Sequence, residues 1–214
     1  MEKTGKKVME EFEAELMDVG DMLDTSLPDP NVLEFYRRIR KREIVWNMDI
    51  DDTTVDVALY IKKWNEEDKG VPSESRTPIR IFINSDGGDV TAVMHVIDMI
   101  TLSKTPVITI GMGKVYSAGG LLLMAGHKRY VFEHTSCLIH DGSSGAVGSV
   151  GKLLDGLRFT EASEKQIRRY ILDRTKITEE TFDKNYRRDW FLFADEMIQL
   201  GIADEIVRDI DQII

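Results

Sequence analysis

Acyl transfer at neutral pH needs a hydroxyl at a tight turn, a histidine to take its proton and a carboxylate to orient that histidine. It also needs backbone amides aimed at the developing oxyanion. Ser117 meets the first requirement. It follows the apolar run 107–110 and the glycine stretch Gly111-Met112-Gly113, and it precedes the small residues Ala118-Gly119-Gly120. Small neighbours let a substrate backbone approach closely, and a helix beginning near Ser117 leaves free amides that suit an oxyanion. A second glycine pair, Gly87-Gly88, closes the apolar run 79–83. If the two runs are adjacent parallel strands, both glycine turns lie at one sheet edge, where open α/β sheets carry their sites. Gly88 and Ala118 are then candidate oxyanion donors.

Each piece has an ordinary reading too. A serine at a helix start is usually a cap. The four histidines are His95, His127, His134 and His140. His95 falls within a helical stretch, His127 ends one and His134 sits in a turn, which leaves His140 at a strand end. A zinc site from His127, His134 and His140 matches no common ligand spacing. Asp141, Asp183 and Asp189 all compete as the carboxylate, and Asp189 by itself reads as a helix cap. Residues 115–119 are not a G-x-S-x-G elbow, because Val115 stands where glycine is needed. Residues 108–115 are not a phosphate loop, because the first glycine and the hydroxyl after Lys114 are missing.

The elements that must position these residues alternate. Apolar spacing predicts an amphipathic helix over 6–23, broken by Pro28 and Pro30, and a short helix over 32–40 capped by Asn31. A strand is expected over 43–46. A helix over 51–65 should bury Val55, Ala58, Leu59 and Ile61. A loop over 66–78 separates it from strand 79–83. Helix 90–103, strand 106–110 and a helix from Ser117 follow, with further strands over 130–132 and 136–139. Residues 141–151 are rich in glycine and serine and should be extended or mobile. Beyond them come a long helix over 150–175, one over 178–186 capped by Thr178, one over 191–200 stopped by Gly201, and a strand over 202–206. Strand, glycine turn and helix in repetition predict a parallel sheet flanked by helices.

Bulk properties narrow the classes. The chain has 214 residues, enough for one full hydrophobic core. Its net charge of -10 argues against a general nucleic-acid binder. Arg37, Arg38, Arg40, Lys41 and Arg42 form a local basic cluster that reads as a solvated helix end. The single cysteine, Cys137, excludes an internal disulfide and sits in an apolar run, as a small core residue does. No apolar run approaches the ~18 residues a membrane span requires. A soluble cytoplasmic protein without membrane or nucleic-acid partners is expected.

Taken jointly, four stretches resemble the Clp protease proteolytic subunit family. They are 83–88 with its glycine pair, 111–120 around Ser117, Leu138-Ile139-His140, and 188–204 beginning Arg188-Asp189-Trp190. The resemblance implies an α/β fold of the crotonase-like superfold, with repeated ββα units and a protruding handle helix. It implies a domain over 31–214, preceded by a helical extension over 1–30. By the same token Ser117 is the nucleophile, His140 the general base and then acid, and Asp189 its orienting carboxylate, with oxyanion amides from Gly88 and Ala118. A serine endopeptidase acting on unfolded polypeptides is implied, in a homo-oligomer of stacked heptameric rings joined through helix 150–175, with 142–151 binding substrate as an added strand. No metal or cofactor is implied, and ATP would enter only through a partner Clp-type ATPase unfoldase.

There are departures. Asp86 stands for the family's proline, Tyr116 for a small residue and Ala118 for methionine, and Arg80 replaces an aromatic of the ATPase-docking pocket. They fit a divergent paralogue or a phage-type relative. An acyl-CoA enzyme of the same superfold and a non-catalytic ring subunit are the alternatives. The Ser-His-Asp set argues against both.

Overall fold

The computed structural model describes residues 29–143, 145 and 147–214. The helix expected over 6–23 lies outside the described residues. Compact units comprise residues 1–41 and 42–214. The first contributes one described helix, α1 (Pro30–Arg40). Asp29, not Asn31, caps it: its carboxylate accepts the Asn31 N–H at 2.7 Å, and Pro30 occupies the first turn, where no N–H is needed. Arg37, Arg38 and Arg40 stand in the last turn, where cations meet unpaired carbonyls.

Arg42 does not share that role. It belongs to the second unit and forks onto Asp68, at 2.6 and 2.8 Å, with both side chains largely buried. Thr105 Oγ1 donates a further bond to Asp68 at 2.8 Å.

The second unit is built on a seven-stranded sheet. β1 (Glu43–Trp46), β2 (Ile79–Ser85), β3 (Val107–Tyr116), β4 (Lys128–Val131) and β7 (Glu205–Ile206) run parallel in that order. β2 alternates: Ile79, Ile81 and Ile83 are fully buried on one face, and Arg80, Phe82 and Asn84 are half-buried on the other. Val107 and Ile110 of β3 are fully buried as well. Helices α2 (Thr54–Glu67), α3 (Val90–Leu102) and α4 (Ala118–Ala125) connect the strands. α2 starts later than expected and turns a different stripe inward. Val57, Ala58, Ile61 and Trp64 are buried, whereas Val55 and Leu59 are exposed. The segment is apolar on two stripes, and Trp64, in line with Val57 and Ile61, decides between them.

β3 corrects a second expectation. Gly111-Met112-Gly113 is not a turn; the strand runs through it. Its first half pairs with β4, ending at Gly111 against Val131. Its second half pairs with β5 (Ser136–Ile139), from Lys114 against Ser136 to Tyr116 against Leu138. The glycines are where the strand changes partner. Gly113 has φ +66°, and a Cβ on Gly111 would crowd Val115, Val131 and Thr135.

β6 (Trp190–Phe193) corrects a third: the helix expected from 191 is a strand, and α7 begins only at Ala194 (Ala194–Gln199). The aromatic run Trp190-Phe191-Leu192-Phe193 suits a strand better than a helix turn.

α4 is buried along its whole length. Its C-terminal carbonyls are met by Arg174, at the end of the long helix α5 (Val150–Arg174). The guanidinium donates to Met124, Ala125 and Gly126 carbonyls at 3.0, 3.2 and 2.7 Å. A cation there complements the helix dipole. α6 (Glu179–Asn185) is capped by Thr178, as expected. Gly201, at φ +69°, follows the end of α7.

Candidate active site

Ser117 sits between β3 and α4 with φ +52° and ψ −121°. Non-glycine residues rarely adopt such a backbone, and it costs ~1–3 kcal/mol unless the surroundings fix it. They do so here. The Ser117 N–H donates to the Leu138 carbonyl of β5 at 2.8 Å, and its own carbonyl accepts from Gly120 and Leu121 at 2.9 and 3.2 Å. Directly below, Tyr116 bonds Ser136 through its hydroxyl at 2.9 Å and sets its ring edge-on to Phe191. Tyr116 thus ties β3 to both β5 and β6, which explains a bulky residue before the serine.

Gly87 closes the other side. At φ +102°, any Cβ would lie 2.7 Å from the Ser117 Cβ and from the Tyr116 carbonyl. Ser85, fully buried, accepts the Gly87 N–H at 3.1 Å and holds the loop. Gly88 is pinned from behind by Ile50, whose N–H donates to the Gly87 carbonyl and whose carbonyl accepts from Asp89. That bridge does not consume the Gly88 N–H. The Ala118 N–H, first in α4, has no intrahelical acceptor. The Ser117 N–H is spent on Leu138, so it is not free for an oxyanion.

The residue pattern marks the pair Gly87-Gly88 but gives Ile50 no role. Gly87 was legible as half of a glycine pair, but residues 47–53 carry no pattern that foretells a bridge. Gly119 and Gly120 also turn out otherwise than expected. Their close approaches are to Ser85 and Cys137, so they seat α4 on the sheet and do not make room for substrate.

His140 follows β5, and the antiparallel register of β5 and β6 explains its neighbour. Ile139 pairs with Trp190, so the next position sets His140 beside Asp189. The His140 Nδ1 and Asp189 Oδ1 atoms are 3.7 Å apart, with His140 half-buried and Asp189 exposed. Asp189 therefore precedes a strand and caps no helix. Ser117, His140 and Gly88 line one cavity of about 670 Å³. The Ser117 hydroxyl has no hydrogen-bond partner among the described residues. Unliganded sites often show such loose contacts, which tighten when substrate binds.

Three of the rivals are engaged elsewhere. Asp183 is engaged by Arg168. His95 lies 3.3 Å from the Thr54 hydroxyl. His127 accepts the Val107 N–H through Nδ1 at 2.9 Å, and its ring is held below the usual value by loss of water and by Arg174. No three histidine, cysteine or acidic side chains converge to hold a metal among the described residues. Burial pushes the Cys137 thiol up to about 12, so it stays protonated and inert. Asp86 pairs with Lys114 at the cavity rim.

A profile of the Clp protease family matches residues 32–209. The chain belongs to the Clp protease family. Clp proteases are serine peptidases. It is 34% identical over 134 residues to ATP-dependent Clp protease proteolytic subunit 2 of Treponema denticola, covering 62% of this chain and 67% of that one. Against proteolytic subunit 1 of Streptomyces avermitilis, identity is 31% over 142 residues, covering 65% of each. The chain thus spans about two thirds of these relatives. A mutant ClpP1 from Listeria monocytogenes superimposes with a TM-score of 0.71 at 26% identity, over 84% of this chain and 98% of that one. The α/β architecture is that of the Clp peptidases.

Proposed function

We propose that the chain is a serine endopeptidase that hydrolyses unfolded polypeptides through Ser117, His140 and Asp189. The observation that carries this reading is the strained Ser117 backbone at a strand–helix junction, in one cavity with a histidine that a carboxylate adjoins. With Nδ1 turned to Asp189, His140 keeps Nε2 for the serine proton. The Ser117 Oγ adds to the substrate carbonyl carbon as its proton passes to His140. Gly88 and Ala118 donate backbone hydrogen bonds to the oxyanion. As the C–N bond breaks, His140 returns the proton to the leaving amine. Water, deprotonated by the same imidazole, then releases the acid and restores the serine.

The wider setting is proposed on family grounds, with support from the surface. The first half of α5 exposes Val150, Leu153, Leu154 and Leu157 along one face. Such a stripe suits burial in stacked heptameric rings enclosing a chamber. ATP would act only through a docked Clp-type ATPase. Arg80, which replaces a docking aromatic, donates to the Ile214 carbonyl at 2.9 Å. No described helix is long and apolar enough to cross a membrane; we place the protein in the cytoplasm.

A fluorophosphonate probe tests the chemistry. We expect labelling of Ser117 in the full chain, and loss of both labelling and peptide cleavage in Ser117→Ala. Labelling elsewhere, or undiminished cleavage by Ser117→Ala, would overturn the assignment.

A further inference from the structure

β6 carries Asp189 at its entrance, yet the sheet holds that strand weakly. Among the described residues it pairs with β5 alone, from Trp190 to Phe193. So short an edge strand sits at the low-stability end of a fold. One side chain of the central strand reaches it. The register sets Tyr116 of β3 against Leu138 of β5, and Leu138 against Phe191 of β6. The Tyr116 and Phe191 rings meet across Leu138, with centroids 5.7 Å apart and planes at 80°. The Tyr116 hydroxyl is fixed at 2.9 Å from the Ser136 Oγ, also on β5. The ring is therefore steadied by β5 while it touches β6.

This row of side chains lies next to the row that holds His140 and Asp189. Side chains two apart on an extended strand share a face. Leu138 and His140 are two apart, and so are Phe191 and Asp189. The ring contact thus stands one step along the strands from the 3.7 Å approach of Nδ1 and Oδ1. Tyr116 does not line the cavity that holds Ser117 and His140 among the described residues. We propose, on the reading of Ser117, His140 and Asp189 as the catalytic set, that Tyr116 is a positioning residue. Its ring clamps β6 at Phe191 and so keeps Asp189 beside His140. A small side chain at this position would leave that approach to the β5–β6 ladder.

The test is a double-mutant cycle in the full-length chain, read as steady-state peptide cleavage. Tyr116→Ala should lower kcat about fivefold, the factor by which an edge-on aromatic pair shifts an equilibrium. KM should stay unchanged, because the ring touches no substrate. In the Asp189→Asn background the same substitution should change kcat by less than about 1.5-fold, since the carboxylate it positions is gone. Tyr116→Phe keeps the ring and should recover most of the loss. Phe191→Leu removes the contact from the other strand and should reproduce the Tyr116→Ala loss, even if alanine before the serine impairs folding. Wild-type kcat in Phe191→Leu overturns the proposal. A Tyr116→Ala loss that persists in full with Asp189→Asn also overturns it, because the ring would then act on Ser117 itself. Tyr116→Phe as impaired as Tyr116→Ala overturns it too, because the hydroxyl and not the ring would carry the effect. Fluorophosphonate labelling of wild-type Ser117 separates the two failures. Labelling with a failed cycle sinks the positioning role alone, and absence of labelling sinks the peptidase reading with it.

Discussion

Asp189→Asn removes one negative charge and keeps the side chain's shape. The carboxylate stands 3.7 Å from the His140 Nδ1, and its side chain is 68% exposed. At that separation its attraction to an imidazolium is about 1 kcal/mol in bulk water and about 4.5 kcal/mol at an effective dielectric of 20. Exposure sets the value towards the lower end, at ~1.4–2.7 kcal/mol, which is a loss of about 10–100-fold in kcat. A buried triad carboxylate costs about 10⁴-fold when amidated. Steady-state cleavage of a saturating peptide at neutral pH measures the loss, with fluorophosphonate labelling kinetics as a second readout. Ser117→Ala provides the floor. A loss near 10⁴-fold would refute the reasoning, because the carboxylate would then work from a dry site. A loss below ~3-fold, too little for the water-screened attraction, would refute it from the other side, and Asp141 would become the candidate orienting group.

Two further substitutions probe the scaffold. Gly87→Ala places a Cβ 2.7 Å from the Ser117 Cβ on a left-handed backbone. It should cost ~1–3 kcal/mol in a urea titration and slow probe labelling at least ~10-fold, and wild-type labelling would show that Gly87 does not set the serine's position. Arg42→Met leaves a largely buried Asp68 without its cation and should cost ~3–5 kcal/mol. The Arg42 hydrogen bond holds the Asp68 carboxyl below its ordinary range, so the folded state binds the proton less readily than the unfolded one. The pair's contribution is therefore full above ~pH 4 and is lost as pH falls through the depressed folded value. Urea midpoints should show the gap between wild type and variant closing on acidification, and a gap independent of pH would refute the ion-pair account.

The alternation of strand, glycine turn and helix was legible because the central strands carry closely spaced β-branched residues, such as Ile79, Ile81 and Ile83, and the punctuation falls near glycine. Partner choice was not. Gly111-Met112-Gly113 has the composition of a turn, and only the competition of β4 and β5 for the same strand shows that it is a fork. Asp189 followed by aromatic residues reads locally as a cap before a helix. The strand that follows it, Trp190–Phe193, arises from pairing with β5, more than fifty residues earlier, which no local pattern encodes. Ser117 and His140 could be singled out as chemistry-bearing residues. The +52° backbone that distinguishes the serine from an ordinary cap is a property of the surrounding contacts and is invisible in residue types.

The three polar side chains are secured to different degrees, and the difference follows from the sheet. Ser117 lies at the end of the central strand, with one backbone bond to β5 and two into α4, each worth ~1 kcal/mol net. These contacts offset a strain of ~1–3 kcal/mol, so the serine keeps its conformation without help from substrate. His140 leaves β5 one residue after its last pair and is anchored on one side. Asp189 enters β6 before its first pair, out of a turn closed by the Arg188 N–H on the Asn185 carbonyl, and is the most exposed of the three. The serine is thus built into the fold, whereas the His140–Asp189 contact depends on how far the β5–β6 pairing extends. Tyr116 joins the two regimes by contacting Ser136 and Phe191 from the residue before the serine. Fraying of β6 would therefore loosen the Asp189 carboxylate first, the His140 ring next and Ser117 last.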